Sequence, residues 1–300
     1  MDFPEYARAI ASRHRRNFIA VQQTASTHLL ARRIVEEYGR ESLRAPAADV
    51  VAWTQTAGVG RDRRKWSSPP GKGVYLTAIR SLESTDRIQL LPLAISVSLC
   101  ETVDRWLRPP DAAGVGDPGS EGVCRLKWPN DLYAEDRKLG GILIDVVSPG
   151  GEPPDAGSPA AEPTKPLASL SSQAAARETR KPIAILSVGV NISSDLAAFE
   201  QSRATSVAVE AERRGRAVIS LAEAAAELIG AIDAGLGSGP AKLIEAYHRL
   251  SVHRPGERMR CHLKSGAVTG TFLGFDRQGF LRLRVAGEEK RISSGVIADG

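Results

Sequence analysis

Between Gln55 and Pro69 the chain reads Gln-Thr-Ala-Gly-Val-Gly-Arg-Asp-Arg-Arg-Lys-Trp-Ser-Ser-Pro. Gly58 and Gly60 let the backbone approach a ligand closely and expose N–H groups to it. Arg61, Arg63, Arg64 and Lys65 follow at once, so the segment suits an anion, and a phosphate ester is the obvious one. Composition alone leaves a plain basic surface loop equally open. The common nucleotide loops are excluded. The glycine that would start a P-loop ending at Gly71-Lys72 is Trp66, and Arg63 stands where a dinucleotide fingerprint begun at Gly58 needs its third glycine. There is no His-Glu-x-x-His run and no close cysteine pair, so the metal ligands, if any, are unknown.

Three further segments carry polar groups in apolar surroundings. Lys127-Trp128-Pro129-Asn130-Asp131 has the chemistry of a hairpin turn. Lys138 opens an apolar strand through Asp145, where a lysine either reaches solvent or faces a charged ligand. Gly140 and Gly141 beside it again permit close approach. Asn191 ends the apolar run Ser187-Val188-Gly189-Val190, and it either caps the next segment or donates to a ligand at the sheet's end. Ser26 and Thr27 precede a helical pattern of Leu29, Leu30, Ile34 and Val35 and can cap it.

The elements that must hold these residues follow from periodicity. Strands are expected at 17–23, 50–54, 74–79, 125–128, 132–133, 139–147 and 183–191. A helix spans 88–107, a second follows the Ser220/Glu223 capping box, and a third begins near Pro240. Segments of about 109–123 and 148–182 are Pro-, Gly- and small-residue-rich and read as flexible insertions. From residue 253 short apolar runs punctuated by glycines predict a small β-barrel. The expected fold is α+β, a mixed β-sheet flanked by helices over 1–252, with that barrel over 253–300.

Composition agrees with a globular protein: 300 residues, 42% hydrophobic, 25% charged, net charge +5 and pI about 9.2. The basic balance fits nucleic acid or an acidic substrate such as ATP. No apolar run is long enough to span a bilayer, and Met1–Glu5 lacks the basic start of a signal peptide, so a cytoplasmic location is expected. Three scattered cysteines argue against a disulfide framework; Cys100 reads as a core residue and Cys124 and Cys261 as incidental.

Taken in order, the Ser-Thr start, the Gly-x-Gly-Arg loop ending Trp-x-Ser-Pro, the Lys-Trp-Pro-Asn-Asp turn, the Lys-Leu-Gly-Gly-Ile-Leu strand and the Gly-Val-Asn strand resemble the biotin–protein ligase family. The resemblance runs from about Asn17 to the C-terminus and implies a class II synthetase-like catalytic domain with an SH3-like barrel. It further implies that Ser26, Thr27, His28, Gln55, Gly58, Gly60, Arg61, Lys138 and Gly141 hold biotin. Arg61, Trp66, Lys127, Asn130, Asp131 and Asn191 fall near the nucleotide, and Arg61 and Lys138 are the catalytic cations. Biotin would be activated with ATP and magnesium as biotinyl-5'-AMP and passed to a lysine of the biotin carboxyl carrier protein of a carboxylase.

The pattern is not followed throughout. Val59 stands where the family often has arginine, Asp62 and Arg63 where arginine and glycine are common, and His28 where asparagine is usual. Ser294-Gly295-Val296 lacks a glutamate often found there, so no site residue is assigned to the barrel. Only 25 residues precede Ser26, so the form without an N-terminal DNA-binding domain is expected, with no DNA and no membrane partner. Family members dimerise through a sheet edge, and a homodimer stays open here. The rivals are a lipoate/octanoate–protein ligase of related fold and a non-catalytic RNA-binding protein that uses the barrel.

Overall fold

Strands β3 (Gly73–Ser81) and β7 (Ile183–Asn191) are apolar almost throughout because both of their faces are covered. They pair antiparallel from Gly73↔Asn191 to Ser81↔Ile183 at the centre of a seven-stranded sheet. The computed structural model describes residues 1–14, 16–86, 88–108, 122–147, 181–193 and 203–298. The predicted insertions lie outside these residues except at their C-terminal ends, 122–123 and 181–182. On one side of the central pair stand β2 (Ala48–Gln55) and β1 (Asn17–Thr24). On the other stand β6 (Arg137–Val147), β5 (Asp131–Ala134) and β4 (Cys124–Lys127), giving the order β1-β2-β3-β7-β6-β5-β4. Only β1 and β2 pair in parallel within this sheet. A mixed sheet flanked by helices is therefore what the chain forms.

Helix α2 (Thr27–Arg40) crosses one face and buries Ala31 and Val35 against Val50, Ile79, Ile183 and Ile185. The opposite face is covered by α3 (Leu91–Leu107), with α4 (Val207–Glu212), α5 (Leu221–Leu236) and α6 (Pro240–Leu250) around it. Ile95, Leu99, Val103 and Leu107 of α3 are fully buried at helical spacing, each contributing about 2 kcal/mol of apolar burial. Helix α1 (Phe3–Ala11) was not among the expected elements. Asp2 and Glu5 form a capping box at its start, and Tyr6 and Ile10 anchor it in the core. Among the described residues no helix is long and apolar enough to cross a membrane.

The C-terminal strands β8 (Arg258–Leu263), β9 (Gly266–Phe275), β10 (Leu281–Val285), β11 (Glu288–Ile292) and β12 (Val296–Ile297) form an antiparallel sheet in the order β11-β10-β9-β8-β12. This corrects the expectation of a closed barrel. The sheet is open, because β12 is two residues long and pairs only with β8. Phe272 and Phe275 are core residues here, not a surface for stacking bases. All three cysteines are free and buried, so Cys124 and Cys261 belong to the packed interior with Cys100.

Side chains alternate across β3 and β7, and this alternation prepares a site. On the face toward α2, apolar Ile79, Ile183 and Ile185 give way to Thr77, Ser187 and Gly189 as the strands pass the helix N-terminus. A cavity opens where the lining turns polar.

Candidate functional site

The cavity measures about 480 Å³. It brings together twelve of the residues singled out from sequence: Ser26, Thr27, His28, Gln55, Gly60, Arg61, Trp66, Lys127, Asn130, Asp131, Lys138 and Gly141. Gly58 and Asn191 are not on its wall.

Its floor is the start of α2. Ser26 is the N-cap residue but makes no capping hydrogen bond through its side chain. Gln55 does that work instead: its Oε1 accepts from the Thr27 backbone N–H at 2.8 Å, and its Nε2 donates to Ser68 Oγ at 2.8 Å. His28 is buried with both ring nitrogens engaged, Nδ1 with Ser187 Oγ at 2.8 Å and Nε2 with Asp145 Oδ2 at 2.9 Å. The hydrogen bond from His28 holds the Asp145 carboxyl below the usual carboxylate range against the opposing effect of burial.

The glycine loop folds back on itself. Trp66 N–H donates to Gly58 O at 2.8 Å, and Gly60 N–H donates to Arg64 O at 2.7 Å. A Cβ on Gly58 would lie 2.5 Å from Trp66 O, so glycine is required there by the fold of the loop. Asp62 and Arg63 both have left-handed φ, 53° and 57°, a conformation that disfavours side chains with a Cβ. Arg61 sits in the fold with Nη1 3.2 Å from Asn130 Oδ1 and 3.4 Å from Gly295 O. Burial draws its guanidinium pKa down, while Asp62 and Asp131 oppose the shift; a guanidinium stays charged regardless.

Beside the loop, Trp66 lies flat on Gly189, where an added Cβ would meet the indole at 2.7 Å. The Lys138 ammonium is 5.5 Å from the Trp66 ring centre and 2.8 Å from Asp131 Oδ2. Gly141 leaves room for that ion pair, since a Cβ there would come within 3.2 Å of Asp131 Oδ1. Asp131 is positioned by the hairpin that the Pro-Asn-Asp turn predicted, with Lys127 opposite it in the β4–β5 ladder. Asn130 completes the turn by donating from Nδ2 to Ile142 O at 2.6 Å.

Sequence reasoning named Arg64 and Lys65 only as members of the basic loop and missed Arg203. Arg64, Lys65 and Arg203 bring the basic side chains on the wall to six, with Arg61, Lys127 and Lys138, against the two acids Asp62 and Asp131. Such a balance attracts a polyanion. Ser187 and Gly189 also line the cavity, and period-two alternation along their strand was the signal for them. Asn191 instead donates from Nδ2 to Thr205 O at 3.0 Å. With buried Glu210, which accepts from Thr205 Oγ1 at 2.6 Å and from Arg137 at 2.9 Å, it holds the segment that carries Arg203 beside Lys138. Gly295, Val296 and Ile297, in the region to which no site residue was assigned from sequence, form part of the wall.

Among the described residues no three His, Cys, Asp or Glu side chains gather in a metal-binding cluster. A hydroxyl- and amide-lined floor beneath a cationic mouth can hold a small polar ring at one end and a phosphate ester at the other.

Residues 20–158 match the family model for the biotin/lipoate A/B protein ligase family. The chain is 37% identical over 103 residues to the bifunctional ligase/repressor BirA of Escherichia coli (strain K12), a stretch covering 34% of this chain and 28% of that protein. It is 27% identical over 271 residues to the protein of the same name from Bacillus subtilis (strain 168), covering 84% of this chain and 66% of the relative. The matched part thus spans between about a quarter and two thirds of these relatives' own length. In fold, the chain is similar to a biotin protein ligase from Aquifex aeolicus in complex with biotin and ATP, with a TM-score of 0.63, 21% identity, and coverage of 95% of this chain and 98% of that one.

Proposed function

We propose that the chain is a biotin–protein ligase that makes biotinyl-5'-AMP from biotin and ATP and transfers the biotinyl group to a lysine of a biotin carboxyl carrier protein. The observation that carries this reading is the polarity of one cavity: Thr27, Gln55 and Ser187 at its floor and Arg61, Lys138 and four further cations at its mouth. Hydroxyl and amide groups match a ureido ring, which offers two N–H donors and one carbonyl. The names of the similar proteins, ligases and a structure with biotin and ATP, point the same way.

In this reading Ser26, Thr27, Gln55, Gly58, Gly60 and Gly141 shape the biotin end. Trp66, Lys127, Asn130 and Asp131 serve the nucleotide, and Asn191 acts indirectly by holding the segment before α4. His28 lines the cavity and supports Ser187. The biotin carboxylate attacks the α-phosphorus and pyrophosphate leaves. Two anions must meet for this, and Arg61 and Lys138 offset their repulsion and the charge that develops on phosphate and leaving group. Lys138 is paired with Asp131 at 2.8 Å until a second anion arrives, and Arg61 hydrogen-bonds the neutral oxygens of Asn130 and Gly295. The folded glycine loop shields the mixed anhydride from water. A carrier lysine amine then attacks the acyl carbon, AMP leaves, and the amine proton passes to solvent.

Magnesium, expected with the nucleotide, would be held by phosphate oxygens and water with Asp131 or Asp62, and would supply further charge neutralisation. The C-terminal strands, 253–300, take the part of the SH3-like domain and complete the wall around Arg61.

The test is biotin-dependent exchange of labelled pyrophosphate into ATP. Wild-type protein exchanges with biotin and not with lipoate, and Lys138→Ala and Arg61→Ala lose most of the activity. No exchange by folded protein with magnesium present refutes the reading, and exchange with lipoate moves it to the lipoate branch of the family.

A further inference from the structure

A row of hydrogen bonds runs under the cavity floor with an acceptor at each end. One end is the Gln55 carbonyl, fixed as such because the Thr27 backbone N–H donates to it. Thr27 Oγ1, 3.2 Å away, must therefore donate its proton to Gln55 Oε1. Thr77 Oγ1 then donates to Thr27 Oγ1 at 2.9 Å, and Ser187 Oγ donates to Thr77 Oγ1 at 2.9 Å. Ser187 is left to accept from His28 Nδ1 at 2.8 Å, while Nε2 of the same ring lies 2.9 Å from the Asp145 carboxyl. Five links need five protons and the three hydroxyls supply three, so the other two reside on the His28–Asp145 pair. With one fewer, Ser187 would turn its own proton to Nδ1, and its 2.9 Å contact with Thr77 would oppose two lone pairs.

We infer that His28 and Asp145 are a positioning pair that leaves Ser187 and Thr27 with one free lone pair each and no free proton, so that this end of the cavity selects ligand groups that donate N–H. Both residues line the cavity. The inference rests on the reading above, in which biotin's bicyclic ring lies at this end. The ureido ring brings two N–H donors, whereas a dithiolane brings none and would leave both lone pairs buried without partners. Arg32, 3.6 Å from Asp145 Oδ2, steadies the outer end of the row.

The test compares binding of biotin, and of its cyclic carbamate in which one ureido N–H is replaced by oxygen, by calorimetry on the full chain. Wild-type protein binds the carbamate at least about tenfold more weakly than biotin. Asp145→Leu, which cannot hold the second proton on the ring, weakens biotin about tenfold and narrows the gap between the two ligands. Asp145→Asn donates to Nε2 from its amide, keeps the proton on Nδ1 and recovers affinity. At saturating biotin, kcat for pyrophosphate exchange stays the same in all three proteins, so the loss appears in KM. If Asp145→Leu discriminates as wild type does, or Asn is no better than Leu, the pair does not set the selectivity. If wild type binds no biotin, the biotin reading itself fails. Nitrogen NMR of the wild-type His28 ring gives an independent answer: Nδ1 carries a proton, and its absence overturns the inference whatever the variants do.

Discussion

His253 makes acid sensitivity a calculable property of this fold. It sits where α6 hands over to the C-terminal sheet, edge-on to Phe272, and its Nε2 is buried without a hydrogen-bond partner. Burial lowers its imidazole from 6.5 to about 4; Glu257 opposes the shift and Lys127 adds to it. The unfolded chain thus takes up a proton near pH 6.5 and the folded chain only near pH 4. Between these values the unfolded state binds more protons, so stability falls as the pH is lowered. The contribution is fully present above 6.5. Linkage gives a loss of about 2 kcal/mol at pH 5 and about 3 kcal/mol below pH 4. His253→Phe removes the titration and keeps a ring beside Phe272. Urea unfolding of both proteins at pH 7.5 and pH 5 isolates the effect, since every other titrating group cancels in the difference. Wild type loses about 2 kcal/mol more than the variant over that interval. An equal loss in both refutes the reasoning, because His253 would then titrate alike folded and unfolded.

Two further outcomes follow from the site's geometry. Gly189→Ala puts a methyl 2.7 Å from the Trp66 indole, so the ring shifts and KM for biotin rises about tenfold, with a change in tryptophan fluorescence marking the movement. Glu210→Ala leaves Arg137 and Arg214 facing a buried gap, lowering stability by about 3 kcal/mol in urea unfolding, and it weakens ATP binding by loosening the segment that carries Arg203.

Much of the architecture was legible because burial on two faces leaves continuous apolar runs, as in the 183–191 strand, and burial on one face leaves a helical stripe, as in 91–107. Helix α1 was legible too, through Asp2 and Glu5, but acidic residues at a chain start were read only as the absence of a leader. What sequence could not display is pairing at a distance. His28 was assigned to the ligand by resemblance, yet its partner Asp145 lies 117 positions away and only the sheet register brings the two together. The open edge of the C-terminal sheet was likewise hidden, since it depends on how many residues after Ile292 rejoin the ladder.

The cavity wall begins at Ser26 and ends at Ile297. No local segment can assemble it, and the contacts that close it join residues separated by most of the chain, such as Arg61 with Gly295. Ordering such distant groups is opposed by loop-closure entropy and comes late when topology governs folding. After dilution from denaturant, helical circular dichroism therefore returns before the capacity to bind ligand, and binding competence reports that both ends of the polypeptide have found one another.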